Sequence, residues 1–342
     1  MPHMPLDLLY PTGAELKEIG QIKMPNLMQD RAIFDILPMV EVDQAFLMWE
    51  QMDNFVGLMQ VRGYNGQPGR VKKTGANRYL VEPGVYGEFE YIDEKELTLR
   101  RQYGTFNQPI DVSDLTVIAQ NKIRNRLIDR MEWIGWTLLA TGTFSVPAPT
   151  GGIAHTDSFT LTQFTSAVPW ATAATATPLA DLRAVQLLSR GISVNLGGAA
   201  KAYANTVTVN KMLSNINNAD LYGRRVTGLA TANNLAGVNS LYTGDNLPTL
   251  VQYDNGYLDD LGVFHPFIPD NTVIVVGQRP GGQNVGDFAM TRNATNPGMA
   301  PGIYSMIVDN AADGPPRSLQ VHEGFNGGPR IYYPSSVVVM HV

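Results

Sequence analysis

The spacing of apolar positions divides the chain into stretches of different period. Residues 2–38 scatter their apolar side chains among several prolines, with one short amphipathic candidate at 14–19 and no sustained repeat. This predicts an extended arm. Leu8, Leu9, Ile22, Met24, Leu27, Met28, Ile33, Phe34, Ile36 and Leu37 are too many apolar groups to leave in water, so the arm is expected to lie on a surface, that of a neighbouring copy.

Across 58–104 the period shortens to two, as in Val85-Tyr86-Gly87-Glu88-Phe89-Glu90-Tyr91-Ile92, with turn signals at Asn65-Gly66, Pro68-Gly69 and Pro83-Gly84. The pattern predicts a long β-hairpin. Its first half is basic (Arg62, Arg70, Lys72, Lys73, Arg78) and its second acidic (Glu82, Glu88, Glu90, Asp93, Glu94, Glu96). The two halves can attract each other or a neighbouring copy, or simply solvate an exposed hairpin.

The longest helical period follows, with Asp111 or Ser113 as N-cap and no proline before Leu139. Leu115, Ile118, Lys122, Leu127, Met131, Ile134 and Leu138 fall near one stripe, and Asn121, Arg124, Asn125 and Asp129 fall elsewhere. At 1.5 Å per residue such a helix spans about 40 Å. Asp129 and Glu132 among Arg124, Arg126 and Arg130 permit local ion pairs worth roughly tenths of a kcal/mol.

Beyond a β-hairpin candidate at 153–164 and an Ala/Thr-rich stretch at 171–177, a second amphipathic helix is expected over 178–190, with Pro178 in its first turn and Gly191 at its end. Asn205-Thr206-Val207-Thr208-Val209-Asn210 reads as a short buried strand leading into a helix at 211–217. Asn271-Thr272-Val273-Ile274-Val275-Val276-Gly277 has the composition of a central strand. The closing Ser336-Val337-Val338-Val339-Met340-His341-Val342 reads as a strand tucked into a sheet, so this half of the chain is expected to be α+β.

Composition narrows the function classes. The 342 residues, 44% hydrophobic, can bury one large core or two modest ones. The 25 basic and 31 acidic residues give a formal charge of -6, which supplies no global counter-charge for nucleic acid, so contact with DNA is expected to be weak or confined to one face. Cysteine is absent, which excludes disulfides, thiolate metal sites and a cysteine nucleophile. Charged residues are only 16%, as expected of a subunit that covers much of its exterior with neighbours, or of a large β-rich monomer. No secretory signal pattern and no apolar run of about 18 residues occurs, so the expectation is a protein made in the cytoplasm, with no membrane partner.

Reactive constellations are missing. His3, His155, His265, His322 and His341 are dispersed without metal-ligand spacing. The glycines at 197–198 and 281–286 lack the P-loop pattern, since Ala202 stands where a metal-binding hydroxyl would follow Lys201. Asp254, Asp259 and Asp260 miss the spacing of a calcium loop and read as an ordinary turn. Neither catalytic residues nor a cofactor is expected.

The order of arm, charged hairpin, long helix, α+β domain and short closing strand resembles the major capsid proteins of tailed bacteriophages with the HK97-type fold. Arg100-Arg101-Gln102-Tyr103-Gly104 before the long helix resembles the return from that family's extended loop into its spine helix. Trp133-Ile134-Gly135-Trp136-Thr137-Leu138-Leu139-Ala140-Thr141-Gly142 resembles the end of that helix. Thr206-Val207-Thr208-Val209-Asn210 is similar to a strand and helix of the axial domain, and the segment from Phe267 to Gly277 resembles one found in lambda-type head proteins.

The resemblance implies an α+β, HK97-type capsid fold: an N-terminal arm at 1–57, an extended loop at 58–104, a peripheral domain with the spine helix at 105–177, an axial domain at 178–325 and a C-terminal return strand at 326–342. It implies an icosahedral head shell of pentamers and hexamers that encloses phage DNA in the virion, assembled in the host cytoplasm. Partners would be a separate scaffolding protein, a portal and a decoration protein. Inter-subunit contacts would fall on Arg62, Arg70, Lys72, Lys73, Glu88, Glu90, Asp93 and Glu94 of the loop and on Leu27, Ile33, Phe34 and Ile36 of the arm. Some members join an Asn to a Lys covalently, and Lys72 or Lys73 with Asn326 are the positions where that bond would be sought. Two other readings stay open: another phage structural part of the tail or decoration type, and a hydrolase whose carboxylates gather only in the fold, about 5 to 10 Å apart in a cleft.

Overall fold

The computed structural model describes residues 28–52, 59, 61, 62, 64, 66, 67, 76–99, 112–148, 151–215, 234–310 and 315–342. In chain order the first half holds α1 (Ile33–Ile36), β1 (Met39–Glu41), β2 (Leu47–Met52), β3 (Ala76–Val81), β4 (Gly84–Ile92), α2 (Glu94–Leu99), α3 (Val112–Thr141), β5 (Thr143–Pro147), β6 (Ile153–Ser158) and β7 (Thr162–Thr165). The second half holds α4 (Pro178–Leu187), β8 (Lys201–Ala204), α5 (Thr206–Leu213), α6 (Leu235–Gly244), β9 (Thr249–Gln252), β10 (Gly256–Leu258), β11 (Phe264–Pro266), β12 (Thr272–Val276), β13 (Gly286–Met290), β14 (Tyr304–Asp309), β15 (Leu319–Ile331) and β16 (Val337–His341).

Two compact units result, each assembled from distant parts of the chain. One comprises the described residues up to Leu47, of Val81–Glu132 and of Phe288–Gly328; the other comprises those of Met48–Leu80, Trp133–Asp287 and Pro329–Val342. The expected domain limits differ from this. Residues 288–325, assigned above to the axial domain, lie in the first unit, and the closing strand lies in a sheet of the second.

In the first unit β15 is the hub, antiparallel to β14 on one side and to β4 on the other, while β1 runs parallel to β13. The N-terminal part of α3 covers this sheet, where Leu115, Ala119 and Ile123 meet Ile92, Leu319 and Val321. Burial along α3 steps by about four residues. It therefore passes through Ala119 and Ile123, leaving Ile118 and Lys122 of the expected stripe exposed and carrying Gln120 and Arg124 inward.

In the second unit a mixed sheet runs β7-β16-β12-β8-β9. The β-branched run of β12 belongs at its centre because both of its faces are buried. β16 ends the chain between β12 and β7, as its composition predicts.

Four local expectations change. Residues 206–210 are helical, not a strand, and the strand is the preceding Lys201–Ala204. Alternating Thr and Val fit either period, and the deciding group is Asn205, whose side chain accepts from Thr208 N at 2.9 Å and caps the helix. Thr208, Val209 and Met212 then share the buried helical face. Asn205→Ala is expected to cost about 1–2 kcal/mol, read as a lower urea midpoint, because the cap is lost together with the 3.2 Å donation from Nδ2 to the Ile268 carbonyl.

β3 and β4 are consecutive yet unpaired, β3 bonding β2 and β4 bonding β15. Only Glu82 and Pro83 separate them, and proline cannot adopt the positive φ that tight hairpin turns favour. The hairpin expected at 153–164 likewise divides, β6 pairing with β5 and β7 with β16. α4 starts at Pro178 as expected but ends at Leu187.

Candidate assembly surface

The register of β14, β15 and β4 sorts their side chains onto two faces. Opposed residues share a face and faces alternate along each strand. One face carries the rows Asp309, Leu319 and Ile92; Ile307, Val321 and Glu90; and Ser305, Glu323 and Glu88. The other carries Val308, Gln320 and Tyr91; Met306, His322 and Phe89; Tyr304, Gly324 and Gly87; and Asn326 beside Val85.

The first face meets α3 through apolar groups and ion pairs. Buried Glu323 accepts from Arg124 Nη2 at 2.5 Å, from Gln120 Nε2 at 2.8 Å and from Ser305 Oγ at 3.0 Å. Burial pushes the Glu323 carboxyl above its ordinary value, with Arg124 and the two neutral donors pulling the other way. Nearer the edge Lys122 Nζ donates to Glu90 at 2.7 Å, and Arg126 grips Glu88 through Nε at 2.6 Å and Nη2 at 3.0 Å. Arg31 reaches Asp129 at 2.6 Å and Glu132 at 2.5 Å. These long-range pairs fasten a loop and two strands to the helix.

Over the paired rows from Val308 to Val85 the second face carries no Asp, Glu, Lys or Arg. Val85 is 73% exposed and Phe89 55%, with Tyr91, Met306 and Val308 also exposed. Phe89 stacks on His322 at 5.1 Å between centroids, and burial holds the His322 imidazole below its ordinary value, which favours the neutral form. Tyr304 lies across the two facing glycines; a Cβ at Gly87 would come within 2.3 Å of its hydroxyl. A face with this much exposed apolar area and no charge in its paired rows is the kind of surface that another protein covers.

The expected contact residues divide among different roles. Ile33, Phe34 and Ile36 are buried in the single chain, so the surface this part of the arm lies on is its own chain. Glu88 and Glu90 pair with Arg126 and Lys122 of α3. The Asp93 carboxylate accepts from Glu96 N at 2.7 Å and starts α2, whose Glu94 is exposed, and Arg62 is exposed as well. Leu27, Arg70, Lys72 and Lys73 lie outside the described residues. Asn326 donates its side-chain amide to the Arg292 carbonyl at 3.0 Å.

Sequence reasoning missed Arg124 and Glu323 because a charge on a helix reads as solvated unless its distant partner is known. It missed the uncharged face because membership of a face depends on register. Among the described residues no group of three or more His, Asp or Glu side chains is placed to hold a metal, and no helix is long and apolar enough to cross a membrane. Asp259 instead closes a turn, accepting from Leu261 N at 2.9 Å and Val263 N at 2.8 Å.

The profile of the family described as phage major capsid protein E matches residues 16–299. No curated protein sequence matches the chain. Among solved structures, a prophage chain from E. coli CFT073 described as a capsid protein is similar at a TM-score of 0.57 and 16% identity, over 94% of this chain and 98% of that one. A phage-related protein from Bordetella bronchiseptica RB50 gives 0.52 at 9% identity, covering 92% of each chain. The capsid of cyanophage P-SCSP1u gives 0.51 at 9% identity, over 90% and 86%. At these identities the likeness is one of fold, and it is the α+β, HK97-type fold.

Proposed function

Since the chain belongs to the phage major capsid protein E family and is a structural subunit that forms the virion's shell, we propose that the uncharged face of β4, β15 and β14 is where another copy docks. The observation that carries this reading is the contrast between the two faces of one small sheet. The face toward α3 concentrates carboxylates and matches each with a cation or hydrogen-bond donor, whereas the opposite face leaves aromatic and aliphatic groups in water. A lone chain gains nothing from that exposure, but covering it on assembly removes apolar area from water at roughly 25 cal/mol per Å².

Arg62, Arg70, Lys72 and Lys73 supply the polar rim of such contacts and meet Glu94 and other exposed carboxylates of a neighbour. The copies gather as pentamers and hexamers in the host cytoplasm, guided by a separate scaffolding protein, with a portal at one vertex and a decoration protein outside. The net charge of -6 fits weak, non-specific contact with the packaged DNA.

Electron microscopy and size-exclusion chromatography of the purified protein test the reading, with closed shells or rings of subunits expected. Lys72→Glu with Lys73→Glu is expected to lower the particle yield while the circular dichroism of the monomer stays unchanged. Particles at the parent's yield from that double variant would remove the basic loop from the contact.

A further inference from the structure

The second unit carries two exposed apolar clusters set in opposite charge, at opposite ends of one pair of strands. β8 and β9 run parallel, from Lys201 beside Thr249 to Ala204 beside Gln252. At their starting ends Asn246 takes a hydrogen bond from Gly198 N at 3.1 Å through Oδ1 and from Gln186 Nε2 at 3.0 Å through its carbonyl, while Arg183 pairs with Asp245 at 3.0 Å. These bonds place the C-terminal half of α4 at that end. Leu187 and Leu188 stand exposed there, and residues 182–201 contain Arg183, Arg190 and Lys201 with no Asp or Glu.

At the finishing ends Tyr253 N bonds the Ala204 carbonyl at 2.9 Å, and the chain continues into the β10–β11 ribbon. The loop of this ribbon is ordered by one carboxylate, since Asp259 caps Leu261 N and Val263 N and also pairs with His265 Nε2 at 3.0 Å. Gly262, at φ 79°, makes the reversal possible. The ordered loop holds Leu261 89% exposed and Leu258 65% exposed, with Phe264 beside them, and residues 249–268 contain three Asp and no Lys or Arg. An apolar tip held rigid in water loses little entropy when it docks.

We infer that the β10–β11 tip of one copy seats on the exposed end of α4 in the next copy, Leu261 and Phe264 meeting Leu187 and Leu188 while the acidic loop faces Arg190. The inference rests on the shell-forming reading and specifies a contact within it. Because the two patches sit at opposite ends of β8 and β9, the contact is head-to-tail, the kind that repeats around a ring and closes when the rotation closes.

The absence of cysteine permits a direct test. Leu188→Cys and Leu261→Cys, combined in one chain, are introduced and assembled particles are oxidised with diamide, then run on a non-reducing denaturing gel. A ladder rising to pentamers and hexamers is expected, with each single-cysteine variant remaining monomeric. Assembled particles that give no ladder would overturn the contact, as would Leu261→Cys alone giving dimers, the mark of a two-fold contact. In parallel, Leu261→Asp is expected to abolish particles while its thermal midpoint matches that of the parent; normal particles from it would count against the contact. A cysteine-free parent that forms no particles with its scaffolding protein present would sink the shell-forming reading itself, and this contact with it.

Discussion

Arg124→Ala is expected to lower the unfolding free energy by about 3–5 kcal/mol, the largest single effect outside the apolar cores, because it leaves the Glu323 carboxylate buried without its counter-charge. Urea unfolding at neutral pH measures it, and a loss under about 1 kcal/mol would mean that water or another cation replaces the guanidinium. Replacing both partners, Arg124→Met with Glu323→Gln, is expected to cost less than Arg124→Ala, since no charge is then desolvated and an amide oxygen still accepts from Gln120 and Ser305. The pair therefore orients α3 on the sheet more than it adds stability. The pH dependence follows from burial holding the Glu323 carboxyl above its ordinary value. Its favourable contribution is fully present below the ordinary glutamate range and is lost as pH rises through the folded-state value. Relative to Glu323→Gln, the parent should thus lose stability as pH rises above the ordinary glutamate range.

The second large effect concerns assembly and leaves the fold intact. Val85→Asp and Phe89→Asp are each expected to prevent particle formation, because a carboxylate on the uncharged face must be stripped of water when a neighbour covers it. A cost of about 2–5 kcal/mol per contact, repeated at every copy in a shell, removes closed particles from the equilibrium. Both positions are well exposed in the single chain, so its thermal midpoint should hardly move. Size-exclusion chromatography with electron microscopy is the readout. Particles at the parent's yield from both variants would show that the face stays open in the shell.

The contrast between these two predictions shows where sequence reasoning works. The length of α3, the first turn of α4 at Pro178, the central place of β12 and the tucked closing strand all follow from period, capping and composition within a few neighbouring residues. Each depends on information contained in the segment itself. The helix at 206–213 could have been read the same way, because Asn205 is an N-cap signal that competed with a β-branched run and won.

What the amino-acid order determined alone was the long helix, the helix that starts at Pro178, the central and closing strands and the resemblance in order to a shell subunit. The tertiary structure decided which strands pair, that Ile33, Phe34 and Ile36 are core and not docking groups, that Glu88 and Glu90 hold α3, and that one sheet face lacks charge. The physical reason is the range of the interactions. Helix period and caps act over about four residues. The partner of Arg124 lies 199 residues away, and no local pattern encodes the register that brings β4 beside β15.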